Sequence, residues 1–193
     1  MNKFVQRALA SGITVRPLDR SDYMGEVRRV VEIFNDAWRD NWGFVPFSEE
    51  EIGQLAGELK PLLVDKLVQF AEMNGEAVGF IVCLPNLNEA IYDLNGRIFP
   101  FGWMKLLWRL KVKGLHSGRV LLMGIRHHVT GNLLAGMLPF LLIGALEPET
   151  RRRRLDAVEI SWILETNAAM CSIAKLICGK PYKTNRMYER PLG

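Results

Sequence analysis

The sequence predicts a mixed α/β (α+β) fold, with a mostly antiparallel central sheet flanked by helices. Three observations predict it. Val27, Val30, Val31, Phe34 and Trp38 recur at helical spacing. Two apolar runs flank Asn74-Gly75, the dipeptide that most favours a two-residue hairpin turn. Val158, Ile160, Trp162 and Leu164 alternate with Glu159 and Ser161, the pattern of a half-buried strand. The order along the chain is β-α-α-β-β, then β-α-β-α-β. It lacks the regular βαβ alternation of a doubly wound sheet.

Taken in order, residues 1–12 form a short basic amphipathic lead, and residues 13–192 form one domain. Ile13–Leu18 reads as the first strand, closed by Pro17 and the polar Asp19–Asp22. Ser21 or Asp22 caps the first helix. Arg39–Pro46 is a loop, and Ser48 with Glu51 forms a capping box that opens a second helix. That helix carries Ile52, Leu55 and Leu59 on one face, and Pro61 kinks or restarts it. Leu67–Asn86 is the hairpin. Phe99–Lys113 is aromatic, basic and helical, and reads as docked on the sheet with its lysines outward. A membrane surface or a long acyl channel is its alternative role. Arg119–Leu146 reads as strand, polar glycine loop and apolar helix, with Pro139 inside the helix at a cost of about 3 kcal/mol, offset by burial of its neighbours. Arg151–Arg154 is a solvated turn before the fifth strand.

Bulk properties bound the function without selecting it. The 193 residues suit one domain with a real core, at 49% hydrophobic and 24% charged. Mean hydropathy is +0.04 and net charge +4, a mild balance that suits a polyanionic cofactor, a membrane surface or nucleic acid. Cys83, Cys171 and Cys178 are odd in number and lack paired spacing, which argues against a disulfide framework or a zinc site and for the reducing cytoplasm. His127 and His128 are adjacent, so a strand would point them to opposite faces, and no metal is expected. Lys3 and Arg7 interrupt any leader-like apolar run. Leu133–Leu146 is shorter than the roughly 20 residues a bilayer span needs.

From Arg119 onward the order is strand, glycine loop, apolar helix, strand, Asn, short helix, glycine, strand, and it resembles the acyl-CoA core of the GNAT-type N-acetyltransferase superfamily. The resemblance covers Ile13–Leu192 and implies a V-shaped split between the fourth and fifth strands that holds a phosphopantetheine thioester. It places the thioester strand at "LLMGI", with Met123, Gly124 and Ile125 along the pantetheine arm. It places the phosphate loop at Thr130, Gly131, Asn132, Leu133, Leu134 and Ala135, and an arm-contacting Asn at Asn167. The chain departs from the family there: Thr130 stands for Arg or Gln, and Leu133 for the first key glycine. The family's acidic Tyr falls on Ala174 or Lys175. Proteins of this resemblance often carry more sequence ahead of the first strand, so residues 1–12 read as the remnant of a larger architecture.

The implied reaction is acyl transfer, most simply acetyl transfer, from acetyl-CoA or another acyl-CoA to an amine or amino-acid acceptor. An amine must lose a proton, an oxyanion must be stabilised and a thiolate must leave. Glu159 is the candidate base, and Tyr182 a substitute acid beside Tyr188. Trp38, Asn41 and Trp42, in and around the loop between the first two helices, and Asn86 and Asn88 after the third strand are the candidate acceptor contacts. A homodimer stays open. Nucleic acid and membrane partners are not expected, since no DNA-reading helix accompanies the arginines. The rival reading is a non-catalytic module of the same fold that binds CoA or a protein, motivated by the missing Tyr, the missing Arg or Gln, and Leu133.

Overall fold

In a computed structural model, residues 12–41, 43–97, 99–131, 135–161 and 163–186 are described. The chain forms two compact units, Met1–Ser161 and Trp162–Gly193. The first unit carries a five-stranded sheet in the order β1 (Ile13–Pro17), β2 (Val68–Met73), β3 (Glu76–Pro85), β4 (Ser117–Ile125) and β5 (Ala157–Ile160). Neighbours pair antiparallel, except that β4 and β5 run parallel. The hairpin turns at Asn74 and Gly75, both at positive φ (53° and 83°), as a primed two-residue turn requires.

Helices cover both faces. On one, α1 (Tyr23–Trp38) and α2 (Glu49–Leu59) lay Ile33, Phe34 and Ala56 against Val68, Phe70, Phe80 and Val82. On the other, α5 (Leu138–Arg152) lays Leu138, Leu142 and Leu146 against Ile13, Ala71, Val78, Ile81 and Val120. The period-2 alternation of β2–β4 is what supplies two apolar faces from one sheet. Ser48 and Glu51 make the capping box of α2, and that helix ends before Pro61 rather than bending at it. The first helix is entered differently from expectation. Asp19 caps a short 3-10 turn, Arg20–Asp22, by accepting the Ser21 N–H, and Asp22 starts α1 without a side-chain cap. Glu26 of α1 is buried but paired, with Arg16 of β1 at 2.9 Å and with Arg29, so the helix is keyed to the sheet by charge as well as packing.

Pro139 needs no offset. The helix begins at Leu138, so this proline sits in the first turn, where the N–H it lacks would be unpaired in any case. The interior proline is Pro148. Between β3 and β4 lie α3 (Leu87–Ile91) and α4 (Gly102–Trp108), the latter continued by a π turn, Arg109–Lys113. The expectation that this segment docks its apolar side on the sheet fails: α4 has no buried side chain, and the buried member is Arg109.

The second unit contains α6 (Ala168–Cys178), capped by the Asn167 side chain, which accepts the Met170 N–H at 3.0 Å, and closed by Gly179 at φ 77°. The fifth strand is shorter than its alternation suggests, ending at Ile160. No strand follows α6 among the described residues. No helix among them is long and apolar enough to cross a membrane.

Candidate functional site

The site is built on β4, whose two halves differ. Ser117–Val120 is paired on both sides, with β3 and with Ala157–Ile160 of β5. From Leu121 onward, among the described residues, only β3 pairs with it. Val82 lies opposite Leu122 and Cys83 opposite Val120, so Leu121 is an extra residue, a bulge that turns the strand where β5 leaves it. The Arg126 N–H donates to the Val78 carbonyl at 2.8 Å. Bonded pairs recur at every second residue of an antiparallel ladder, so Gly124 and Leu122 face β3. The peptide groups of Met123 and Ile125 therefore point away from β3, along the side where β5 pairing has stopped. The Trp38 indole N–H donates to the Met123 carbonyl at 3.3 Å, which fits that direction.

The side chains alternate with the backbone. Met123 and Ile125 pack toward α5, while Gly124 faces α1. A Cβ on Gly124 would sit 3.0 Å from Phe80 Cε1 and 3.2 Å from Ala37 Cβ, so glycine lets α1 approach the strand. Trp38 stacks on Phe34 at 4.9 Å, and Phe34 also meets Phe44 and Phe47. This aromatic knot fixes the indole at the mouth of the open edge. Asn41 shapes the turn beyond it: its N–H donates to the Trp38 carbonyl, and its own carbonyl accepts the Phe44 N–H. Trp42 lies outside the described residues.

Beyond Ile125 the chain makes a 3-10 turn, His127–Val129. The His127 N–H donates to Asp36 Oδ2 at 2.5 Å, and His127 Nε2 lies 3.2 Å from Asp40 Oδ2. Burial would push the Asp36 carboxyl up, but the His127 N–H and the charges of Arg39, His127 and Arg126 bring it below the usual range. Arg126 is taken by Glu32 at 3.1 Å and by the Ala77 carbonyl. Thr130 donates its hydroxyl to the His127 carbonyl at 2.6 Å, and Gly131 sits at φ 92°, open to glycine. Asn132, Leu133 and Leu134 lie outside the described residues; Ala135 opens a 3-10 turn that leads into α5. The sequence from His127 to Thr150 holds no Lys or Arg. The stretch offers an anion no Lys or Arg of its own, only the positive end of the α5 dipole.

Glu159 pairs with Arg119 at 2.9 Å across the β4–β5 ladder, both half-buried. Asn86 caps α3, accepting the Asn88 N–H at 3.2 Å and donating to Ser117 Oγ at 3.1 Å; Asn88 itself is exposed. Asn167 and Tyr182 belong to the second unit, where Asn167 caps α6 and the exposed Tyr182 ring has Lys183 Nζ at 5.1 Å. Tyr188 lies outside the described residues. Among the described residues no cluster of His, Cys, Asp and Glu could hold a metal. Sequence reasoning missed Arg119, Asp36 and Asp40, because cross-strand and helix-to-turn partners leave no local periodicity.

A mostly antiparallel sheet whose fourth strand bulges and parts from a parallel fifth is diagnostic of one architecture. The structure of a ribosomal-protein-alanine N-acetyltransferase from Brucella melitensis biovar Abortus 2308 matches it with a TM-score of 0.57 at 13% identity, covering 93% of this chain and 99% of that one. The fold is that of the GNAT-type N-acetyltransferases. The aminoglycoside N-acetyltransferase AAC(6')-Iy in complex with CoA shares this fold, with a TM-score of 0.56 at 11% identity over 93% of this chain and 95% of that one. Sequence relatives are nearer. The bacterial ceramide synthase of Caulobacter vibrioides (strain NA1000 / CB15N) is 50% identical over 97% of this chain and 49% of its own length. Protein YghO of Escherichia coli (strain K12) is 46% identical over 93% of this chain and 46% of its own length. The chain thus spans about half the length of the curated relatives it matches. No family model matches it.

Proposed function

We propose that this GNAT-like chain transfers an acyl group from acyl-CoA to the nitrogen of a long-chain amine. The observation that carries the proposal is the open half of β4, where the peptide groups of Met123 and Ile125 face outward beside Trp38. An extended pantetheine arm can bond such an edge as a strand would. The outward N–H groups would also receive the oxyanion that forms when the amine attacks the thioester carbon. The new C–N bond forms, the C–S bond breaks, and the amine's proton ends on the departing thiolate. Glu159 is our choice to relay that proton through water; its link to Arg119 holds it in place. Thr130 and Gly131, with Asn132, Leu133, Leu134 and Ala135 beyond them, are proposed to meet the phosphates through backbone donors.

The relative named bacterial ceramide synthase supports the acceptor class, since a ceramide is the amide of a long-chain amino alcohol. Support for CoA comes from the fold's CoA-bound aminoglycoside N-acetyltransferase. Trp38, Asn41, Trp42, Asn86 and Asn88 are the residues to test for acceptor contact, in a cytoplasmic setting. The same geometry also serves the non-catalytic reading, favoured by the basic-free phosphate loop.

The test is thermal unfolding with acetyl-CoA, a long-chain acyl-CoA and CoA at low and high salt, followed by mass spectrometry for amide formation on a long-chain amine. A saturable rise in Tm with amide product supports transfer. Stabilisation without product under any amine leaves the CoA-binding module, and no stabilisation by any of the three ends the transfer reading and leaves a module that binds a protein.

A further inference from the structure

Helix α4 is attached the wrong way round for a helix that serves only the fold. Its anchor is polar. Arg109 is only 9% exposed, donates to the Ala90 carbonyl at 2.7 Å and pairs with Asp93 at 2.6 Å. Lys105 reaches the same Asp93 carboxylate, which these two cations hold well below the usual range. The apolar side is left outside. Trp103, Met104, Leu107, Trp108 and Val112 follow one another at helical spacing along one stripe, with Trp108 53% and Val112 71% exposed. Phe99 and Phe101, ahead of the helix, are 82% and 73% exposed. Soluble surfaces rarely leave so many large apolar side chains contiguous unless something covers them.

Charge identifies the cover. Between Tyr92 and Gly114 the sequence has five basic residues, Arg97, Lys105, Arg109, Lys111 and Lys113, against one acid, Asp93. The whole chain has 25 Lys and Arg against 21 Asp and Glu, so everything outside this segment balances at twenty each and the segment carries the entire net charge of +4. Arg97 and Lys113 are exposed and have no acidic partner among the described residues. A stripe of tryptophan, phenylalanine and aliphatic side chains rimmed by cations matches the boundary between acyl chains and anionic head groups. Tryptophan sits well at that depth because its ring is apolar while its N–H stays wet.

We infer that α4 and its flanks dock this chain on the surface of an anionic lipid bilayer, lying in the interface without crossing it. The inference stands on the exposed stripe and the charge distribution and needs neither CoA nor turnover.

The full chain is tested by flotation with vesicles of phosphatidylglycerol and phosphatidylethanolamine, against phosphatidylcholine alone, at low and high salt. Binding to the anionic vesicles that weakens with salt is expected. Removing one cation as Lys113→Gln should lower affinity roughly fivefold. Trp103→Glu with Leu107→Glu should abolish binding while Tm stays put, because both side chains are already exposed. A second variant, Trp103→Phe with Trp108→Phe, should still bind but lose fluorescence quenching by brominated acyl chains. Equal binding to both vesicle types, or undiminished binding by the glutamate variant, overturns the inference. So does a dimer that the glutamate variant dissolves, which would assign the stripe to a second copy. Failure of acyl transfer with vesicle binding intact would fault the proposed reaction alone.

Discussion

The two halves of β4 make different use of one strand. Ser117–Val120 is held between β3 and β5 and closed by the Arg119–Glu159 pair; Leu121–Ile125 has, among the described residues, only β3 as a strand partner, and Trp38 reaches its outer side. The first half spends its peptide groups on the sheet, while the second keeps the outward groups of Met123 and Ile125 for something else. The difference arises from one bulged residue, Leu121, and from the end of β5 at Ile160. An open edge in the middle of a sheet survives because its two faces are still packed, by α1 through Gly124 and by α5 through Leu142.

Removing that packing should have the largest effect. Leu142 is fully buried, and Leu142→Ala should cost about 2–5 kcal/mol in denaturant unfolding. Gly124→Ala pushes a methyl against Phe80 and Ala37 and should cost about 1–3 kcal/mol, more than Gly136→Ala, where a Cβ meets nothing within 4 Å. A third effect is read with pH. The buried Glu149 carboxyl, at the far end of α5, is held down to about 2 by Arg152 and Arg153 against burial. Because its folded value is depressed, the stability it contributes is present above pH of about 4.5 and is lost as pH falls toward 2. Glu149→Gln should flatten that acid limb and leave stability near pH 8 lower than in the parent. The smallest effects separate the halves chemically. Glu159→Gln should cost about 1 kcal/mol in stability by loosening the closed half and, if it relays the proton, lower kcat while leaving the KM for acyl-CoA. Trp38→Phe keeps the aromatic stack but leaves the Met123 carbonyl without its donor. It should cost under about 1.5 kcal/mol and raise the KM for acyl-CoA. A kcat loss for Trp38→Phe with KM unchanged would place the indole with the acceptor instead.

Much of this was legible beforehand. The Asn74-Gly75 turn, the Ser48 and Glu51 box and the helical stripe of α1 are local signals, and the structure keeps all three. Pro139 and the α4 segment were misjudged for the same reason. The expected cost of Pro139 depends on where a helix starts, and a stripe of apolar residues does not say which side faces the sheet.

The sequence by itself determined the order of the five strands, the two helices between the first and second of them, and the alternation that gives the sheet two apolar faces, because these follow from periodicities of 2 and 3.6 and from turn chemistry. Only the tertiary structure decided that β5 leaves β4 after Val120, that Trp38 meets the Met123 carbonyl 85 residues away, and that Arg109 rather than the tryptophans of α4 is buried. Those outcomes depend on which distant groups are brought within bonding reach, and no spacing along the chain encodes that.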